Sequence, residues 1–305
     1  MAIKYGCAPS CWGVDDVNNP YLPKWTTVLD EAKESGFTGI ELGPYGYMPL
    51  DIPVVRSAFE ERGLTLTAGT IFDDLVTPSN YDNLIKQTHQ ICDLIRQMPE
   101  PAVLPGQKFA HPVMTIMDFF HDERSVTAGH GDRAPRLEKD LWDNMMKTLR
   151  DISKIARGYG IRVVYHPHAG GYVEFEDEIE RLCNDISYDE MGLVLDTGHI
   201  YYAGGDPSTV LRRYKDRLDY VHFKDVNQEI YDEMMKIEID FFAAAAKGTM
   251  CPIGDGALNY PEIRQTLDEI EYAGWVTIEQ EKDPRNVSTS LEDVKASYRF
   301  VSSLG

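Results

Sequence analysis

The chain has 305 residues, and its 30 Lys and Arg against 50 Asp and Glu give a formal net charge of −20. A chain of this length can bury a sizeable core and suits one large α/β domain or two ordinary ones. The acidic balance disfavours nucleic acids and anionic membrane surfaces as partners, because both are bound through basic patches. No run of about 18 apolar residues occurs, so no membrane-spanning helix is predicted.

Short β-rich apolar runs alternate along the chain with segments of helical periodicity. The predicted strands span 3–9, 38–43, 64–70, 112–119, 162–168, 191–199, 218–226 and 275–281. The helices that follow them are predicted near 24–35, 52–62, 80–98, 137–158, 174–185, 207–214, 260–272 and 289–303. Eight βα units in about 250–300 residues are typical of an α/β (β/α)8 TIM barrel, which is the predicted fold.

A doubly wound sheet with a small extra domain is the alternative fold. The first βα turn, CAPSCWG, argues against it because it has no glycine fingerprint for a dinucleotide. We therefore predict a single barrel domain over 1–305, with loop insertions near 99–136 and 227–257. In a barrel such insertions follow strand ends, where loops form the walls and lids of a site. Within the second insertion, 227–250 is either a lid helix or an interface.

The N-terminal segment, MAIKYGCAPSCWG, lacks the basic region and apolar core of a signal peptide, so a cytoplasmic protein is expected. Five cysteines are scattered along the chain, and only Cys7 and Cys11 lie close together. One close pair does not complete a zinc cage. The cysteines are therefore expected to be reduced thiols that pack as small apolar groups.

In a TIM barrel the chemistry takes place at the carboxyl ends of the strands, so polar residues at these ends are candidates. From the second strand to the eighth they are Glu41, Asp118, His166, His168, Asp196, His199, His222, Lys224, Asp225, Glu279 and Glu281. Four of the eight histidines thus fall at the ends of three consecutive strands. Residues two apart on a strand point to the same face, so His166 and His168 are expected to share one wall.

Imidazole and carboxylate groups together suit Mn²⁺, Co²⁺, Fe²⁺ or Zn²⁺ better than Mg²⁺ or Ca²⁺. A single histidine at a strand end is usually just hydrogen-bonded, but three such strands in succession favour a metal site. Asp196 could instead only cap a turn, and Glu41 could be a structural partner of a loop amide. Trp12 could line the substrate or pack at the barrel mouth. The predicted metal ligands, one from each strand, are His166, Asp196, His222 and Glu279.

Several motifs carry a resemblance to a known family. They are YHPHAG (165–170), LDTGHIYYAGGDP (195–207), YVHFKDV (220–226), PIGDGALNYPEI (252–263) and VTIEQEKDP (276–284). In this order they resemble the xylose-isomerase-like sugar isomerase/epimerase family of TIM barrels. The resemblance extends over essentially the whole chain and includes GIELGPYGYMP (39–49) and SVTAGHGDRAP (125–135).

The resemblance implies one divalent metal, bound by Glu, Asp, His and Glu from the fifth to the eighth strand. Asp196, His222 and Glu279 match the last three of these ligands. His166 stands where most relatives have Glu, so the remaining ligand is His166, His168 or water. Epimerases of this family use the two metal-bound carboxylates as acid and base on opposite faces of the sugar. Because one carboxylate of that pair is missing here, elimination is favoured over epimerisation.

Within the family, the motifs resemble those of dehydratases, which implies loss of water from 2-keto-myo-inositol (scyllo-inosose) to a trihydroxycyclohexane-dione in inositol catabolism. A divalent metal, Mn²⁺ or Co²⁺ first and Zn²⁺ or Fe²⁺ next, would stabilise the enolate. His168 is expected to take the α-proton as a base with a pKa near neutrality. Lys224, with His199 behind it, is expected to protonate the leaving hydroxyl. The predicted substrate contacts are Glu41, Trp12, Asp225 and Glu281.

Two other functions stay open. One is a ketose or hydroxypyruvate-type isomerase or epimerase on the same barrel, and the other is a non-catalytic sugar- or metal-binding barrel. Phosphorylated substrates are disfavoured because no Arg/Lys cluster or glycine nest follows the last two strands. The expected partner is a neutral cyclic polyol ketone, without nucleic acid or membrane. A homo-oligomer is an expectation from the family alone.

Overall fold

The computed structural model describes residues 2–305. The strands in this range are β1 (Ile3–Cys7), β2 (Gly39–Ile40), β3 (Thr65–Leu66), β4 (Ala68–Asp73), β5 (Val113–Asp118), β6 (Val163–Tyr165), β7 (Gly192–Asp196), β8 (Leu218–Phe223), β9 (Asp225–Val226), β10 (Met250–Cys251) and β11 (Gly274–Ile278). Nine of them form one parallel sheet in the order β3-β2-β1-β11-β8-β7-β6-β5-β4. The remaining two, β9 and β10, pair as a small antiparallel ribbon.

The two edges of the large sheet, β3 and β4, are parts of a single predicted strand that is interrupted at Thr67. The N–H of Thr67 donates to the carbonyl of Ile40 (3.0 Å), and its carbonyl accepts from the N–H of Val113 (3.2 Å). One chain segment therefore bonds to β2 on one side and to β5 on the other. This closes the sheet into a barrel, as the sequence predicts. A doubly wound sheet would leave two open edges, so that alternative is wrong.

The eight predicted helices are present, with ends that differ from the predicted ones by a few residues. They are α1 (Trp25–Glu34), α2 (Ile52–Arg62), α3 (Tyr81–Ile95), α5 (Lys139–Gly158), α6 (Glu176–Asp185), α8 (Pro207–Arg213), α11 (Tyr260–Glu269) and α12 (Ser290–Ser303). Two short helices were not predicted, α4 (Asp122–Ser125) and α7 (Thr197–Tyr202). Two more, α9 (Gln228–Met234) and α10 (Phe241–Ala246), lie in 227–250, where a lid helix is one of the two predicted alternatives. Among residues 2–305, no helix is both long and apolar enough to cross a bilayer.

Local sequence explains where the longer helices begin and end. The carboxylate of Asp51 accepts from the N–H of Val54 at the start of α2. Gly63 and Gly160 follow α2 and α5 with φ angles of 62° and 78°, in the left-handed region that glycine adopts without strain. Each of these glycines turns the chain from a helix into the next strand.

A small apolar layer fills the barrel and determines which strand residues face the site. It consists of one residue from each of six strands: Ala68, Val113, Val164, Val194, Tyr220 and Trp275. Because side chains alternate along a strand, residues two or four positions further on face the same interior. His166, Asp196, His222 and Glu279 occupy those positions after Val164, Val194, Tyr220 and Trp275. The barrel interior therefore presents these four side chains above a packed floor.

The second insertion folds over this end of the barrel. In α10 the ring centroid of Phe241 lies 5.3 Å from that of His168 and 4.8 Å from that of His199. The ring of Phe242 lies nearly parallel to that of His168, at 6.0 Å. The two phenylalanines of the FFAAAA run thus pack against the predicted site, whereas Ala246 at its end is exposed.

Candidate metal centre and active site

His166, Asp196, His222 and Glu279 lie together at the carboxyl end of the barrel. All four are buried, and one ligand atom from each lies within 4.8 Å of the others. His166 Nε2 lies 3.8 Å from Asp196 Oδ2, and His222 Nδ1 lies 3.9 Å from the same oxygen. His222 Nδ1 also lies 3.4 Å from Glu279 Oε2. The structure therefore brings together the four side chains that the sequence assigns to metal binding.

Four atoms of these side chains have no hydrogen-bond partner among residues 2–305: His166 Nε2, Asp196 Oδ2 and both ring nitrogens of His222. His222 Nε2 lies beside Glu41, and the other three lie on the side of the metal group. Buried polar atoms in folded proteins are nearly always hydrogen-bonded, because leaving one unsatisfied costs about 1–3 kcal/mol. Here three of the unpartnered atoms are neighbours that face one another. Two imidazole nitrogens with carboxylate oxygens form a donor set for a divalent transition metal, so the residues fit such an ion.

In each histidine of the group, the ring nitrogen that faces away from the other ligands lies close to an oxygen atom. His166 Nδ1 lies 2.9 Å from the carbonyl of Pro167 and so carries its proton there, which leaves the lone pair on Nε2. His222 Nε2 lies 2.9 Å from Glu41 Oε1, although it is not aligned for a hydrogen bond. The hydroxyl of Tyr220 donates to the same Glu41 oxygen (2.7 Å). Carboxylate and carbonyl partners of this kind orient metal-binding histidines.

Asp196 has a different use for each of its oxygens. Oδ1 accepts from the N–H groups of Gly198 (2.7 Å) and His199 (2.9 Å) and so caps α7. Oδ2 faces the metal group. The capping and ligand interpretations of Asp196 are therefore compatible. The cap also ends β7 at Asp196, so the predicted strand 191–199 is too long and His199 lies on a helix.

Lys224 supplies a fully buried positive charge beside the group. Its Nζ lies 3.2 Å from Asp196 Oδ2, 3.0 Å from Glu279 Oε2 and 2.5 Å from Glu281 Oε1. Burial alone would lower the pKa of Lys224, but the three carboxylates raise it well above its usual value. Burial would raise the pKa of Glu279, but His222 and Lys224 hold it well below its usual range. The ammonium and the carboxylates therefore keep each other charged inside the barrel.

His168 belongs to a second group, with His199 and Glu281. Its Nδ1 lies 2.9 Å from the carbonyl of Ala169, and its ring centroid lies 4.0 Å from that of His199. Burial, together with His166 and Lys224, lowers the pKa of His168 to about 3. The ring is therefore a weaker base than the sequence suggests, because burial and the neighbouring positive charges oppose its protonation. This grouping favours His166 over His168 as the ligand from the fifth predicted strand.

Two adjoining spaces lead to these residues. A small cavity of about 60 Å³ is lined by Glu41, His168, Glu279 and Glu281, among others. An outer cleft of about 1090 Å³ adjoins it. The two share the lining residues Asp15, Pro44, Thr70, Phe72, Phe242 and Glu281. Glu281 Oε2 is buried without a hydrogen-bond partner in the described chain, so it is available to a ligand hydroxyl.

Asp225 and Trp12, predicted to contact the substrate, are engaged elsewhere. The carboxylate of Asp225 accepts from four backbone N–H groups, those of Val226, Gly254, Gly256 and Leu258. It directly follows Lys224, and neighbouring residues on a strand point to opposite faces. Trp12 is buried in the core, and its Nε1–H donates to Glu31 Oε2 on α1 (2.6 Å). Neither side chain lines the small cavity or the outer cleft, and their role as substrate contacts stays a prediction.

Sequence reasoning missed Asp15 and two phenylalanines of the cavity wall, Phe72 and Phe242. Asp15 lies in the loop after β1, between the residues that line the small cavity and those that line the cleft. Its only sequence signal is its place after a strand end. Phe242 lies in the insertion, for which the sequence indicates burial and nothing about the site.

The chain is similar in sequence to known proteins over nearly its whole length. A family model described as xylose isomerase-like TIM barrel matches residues 29–303. The inosose dehydratase of Lacticaseibacillus casei is 31% identical over 299 residues, which cover 97% of this chain and 95% of that protein.

Solved structures share the fold. The probable 3-DHS dehydratase AsbF of Bacillus anthracis, involved in petrobactin synthesis, superposes with a TM-score of 0.71 at 16% identity over 98% of each chain. The IolI protein with a bound zinc atom superposes with a TM-score of 0.72 at 14% identity, over 99% of this chain and 97% of that one.

Proposed function

Because the chain belongs to the xylose isomerase-like TIM barrel family, we propose that it is a metal-dependent hydro-lyase of the inosose dehydratase type. It removes water from 2-keto-myo-inositol to give a trihydroxycyclohexane-dione in myo-inositol catabolism. The observation that carries this function is the 31% identity to an inosose dehydratase along 97% of the chain. His166, in the place of a carboxylate, supports elimination over two-face proton transfer.

The four residues that would hold the metal are His166, Asp196, His222 and Glu279, whose facing atoms fit a divalent ion. When bound, a divalent cation withdraws electron density from a ketone oxygen and makes the neighbouring C–H more acidic. Mixed imidazole and carboxylate donors suit divalent first-row metals. Among these, Mn²⁺ or Co²⁺ is our first proposal and Zn²⁺ or Fe²⁺ the next.

Two groups at the cavity can accept the α-proton. His168 lines the cavity, and its Nδ1 contact with the carbonyl of Ala169 leaves the lone pair on Nε2. Burial raises the pKa of Glu281 to about 7, against the opposing effect of Lys224, so this carboxyl group is the stronger base. We retain His168 as the base that contacts the substrate, with Glu281 beside it to bind a hydroxyl or receive the proton.

Lys224 remains the proposed acid for the leaving hydroxyl. Its raised pKa keeps the ammonium protonated. Its Nζ lies 2.9 Å from His199 Nε2, so the imidazole supports the ammonium from behind. Glu41 lines the small cavity and also contacts His222, so it both orients that imidazole and offers an acceptor to the substrate.

The test is a metal analysis of the purified protein, followed by incubation with 2-keto-myo-inositol in the presence of Mn²⁺ or Co²⁺. We expect a product that is lighter than the substrate by one water molecule, as measured by mass spectrometry. A reaction in D₂O that exchanges a C–H without changing the molecular formula would instead show an isomerase or epimerase. Stoichiometric metal without turnover of any polyol ketone would show a binding protein. Cell compartment and oligomeric state stay predictions.

A further inference from the structure

Asp15 is a half-buried carboxylate without a protein partner. It lies in the loop after β1, and its side chain has no hydrogen bond or ion pair with any of residues 2–305. It lines the small cavity together with Glu279 and Glu281, and it also lines the outer cleft. Its carboxylate is therefore at the passage between the two spaces.

The backbone before Asp15 is held firmly. The N–H of Gly13 donates to the carbonyl of Ser10 (2.8 Å), and Val14 is only 1% exposed. Gly13 has a φ of 70°, and a Cβ at this residue would lie 2.7 Å from the Cα of Pro284. The loop after β1 thus packs closely against the segment that follows Glu281. This packing fixes the backbone from which the Asp15 side chain extends.

The position is electrostatically unfavourable for the free protein. Burial and the charges of Glu281 and Glu279 raise the pKa of Asp15 well above its usual value, with only Lys224 acting in the opposite direction. A desolvated carboxylate beside two others costs stability unless it is hydrogen-bonded. Residues that oppose stability in this way are expected at ligand-binding positions.

We propose that Asp15 is a specificity-determining residue whose carboxylate accepts hydrogen bonds from substrate hydroxyls remote from the carbonyl. The metal group occupies the barrel interior, so the carbonyl edge of a ring bound there faces inward and the opposite edge faces the passage. Two carboxylate oxygens can accept from two neighbouring hydroxyls of a neutral cyclic polyol. This inference rests on the proposed function, because the ring and its carbonyl are those of the proposed substrate.

The experiment compares Asp15→Ala and Asp15→Asn with Asp16→Asn in the metal-loaded protein. Asp16 is an exposed neighbour that lines only the outer cleft and accepts from the N–H of Asn18. We expect Asp15→Ala to raise the KM for 2-keto-myo-inositol by about 10- to 100-fold, as for a lost hydrogen bond to a charged group. Asp15→Asn should raise it less, since an amide oxygen still accepts. Asp16→Asn should leave it unchanged.

Two further readouts separate binding from a structural role. The Tm and the metal content of Asp15→Ala should both stay near the wild-type values, because the Asp15 side chain has no hydrogen bond or ion pair within residues 2–305 to lose. A KM within about twofold of the wild-type value, or a lower Tm with the higher KM, would overturn the inference.

Failure of the proposed function gives a different result, namely a wild-type protein that does not turn over 2-keto-myo-inositol. Calorimetric titration with myo-inositol, which has no ketone to activate, then tests Asp15 separately. Tighter binding by the wild type than by Asp15→Ala supports the inference. Equal binding, or no binding by the wild type, overturns it.

Discussion

Three of the four metal-binding candidates have one contact that orients them and keep one atom for a ligand. His166 uses Nδ1 for the carbonyl of Pro167, and Asp196 uses Oδ1 to cap α7. His222 has Glu41 near its Nε2. Nε2, Oδ2 and Nδ1, respectively, are the atoms left over. Such division between two atoms of one side chain is expected where a site is preorganised.

Single substitutions can separate the role of His222, a proposed metal ligand, from that of His168, the proposed base. His222→Ala should lose the bound metal, because a ligand atom is removed and Glu41 is left without its imidazole neighbour. His168→Ala should keep metal near the wild-type content while turnover falls by at least about 100-fold, as for loss of a general base.

Metal analysis and the water-loss assay on both variants check this prediction, and thermal melting confirms that each is folded. If His168→Ala also loses the metal, His168 is a ligand and the assignment of His166 has to be revised. If turnover survives in His168→Ala, the proton acceptor is another group, and Glu281→Gln is the variant to examine.

Among the elements, the loop between β10 and α11 has one carboxylate as the acceptor for three of its N–H groups. The carboxylate of Asp225 accepts from the N–H groups of Gly254, Gly256 and Leu258 at 2.9–3.1 Å, in addition to that of Val226. A Cβ on Gly256 would lie 2.2 Å from Asp225 Oδ1, so the backbone is drawn close to the carboxylate. The backbone N–H groups of this loop thus donate to a buried carboxylate, where in a helix or sheet they would donate to backbone carbonyls.

Asp225→Ala should therefore lower the free energy of unfolding by about 2–4 kcal/mol, because several buried N–H groups lose their acceptor at once. Urea unfolding measures this loss, and hydrogen exchange should show faster exchange in residues 254–258. Asp255→Asn, an exposed carboxylate in the same loop, is the matched control and should change little. A higher KM for the substrate without loss of stability would instead support the substrate contact that the sequence suggested.

Across the whole molecule, the two ends of the barrel differ in the use of their buried histidines. The site lies at the carboxyl ends of the strands, whereas His111 precedes β5 at the opposite end. His111 is buried, its Nδ1 lies 2.8 Å from the carbonyl of Thr67, and its ring contacts that of Tyr220 edge to face. Burial lowers the pKa of His111 to about 4. The folded protein therefore favours the neutral form of this histidine, and protonation of His111 destabilises the fold.

This predicts that acid weakens the whole fold. The unfolded chain binds a proton at this histidine below pH about 6.5, whereas the folded chain does so only near pH 4. The stability due to neutral His111 is thus complete above pH about 6.5 and is lost as the pH falls towards 4. The loss amounts to about 3 kcal/mol for this one group.

Urea unfolding of the wild type and of His111→Gln across this pH range checks the prediction, since the difference between them isolates this group from other titrating residues. The fall in stability between pH about 6.5 and 4 should be smaller in His111→Gln. His89→Gln, at an exposed histidine of α3, serves as the control and should follow the wild type. Parallel curves for all three proteins would contradict the assignment.

The sequence by itself determined the alternation of strands and helices, because hydrophobic periodicity and helix-ending glycines such as Gly63 and Gly160 act over a few residues. It also determined which strand ends carry imidazoles and carboxylates. Two-residue spacing was not sufficient to assign His166 and His168 to one group. His166 directly follows the end of β6 at Tyr165, whereas His168 lies three residues beyond it, where the alternation of the strand no longer fixes side-chain direction.

Only the tertiary structure decided the use of each polar side chain, because that depends on atoms far away in sequence. Asp225 is occupied by a loop about 30 residues later, and Trp12 is bound by Glu31 on a helix. Asp15 is a candidate only because, in the closed barrel, it lines the same cavity as Glu279 and Glu281. Strand and helix patterns are local, whereas a site is formed by closure of the barrel, which brings distant strand ends within a few ångströms.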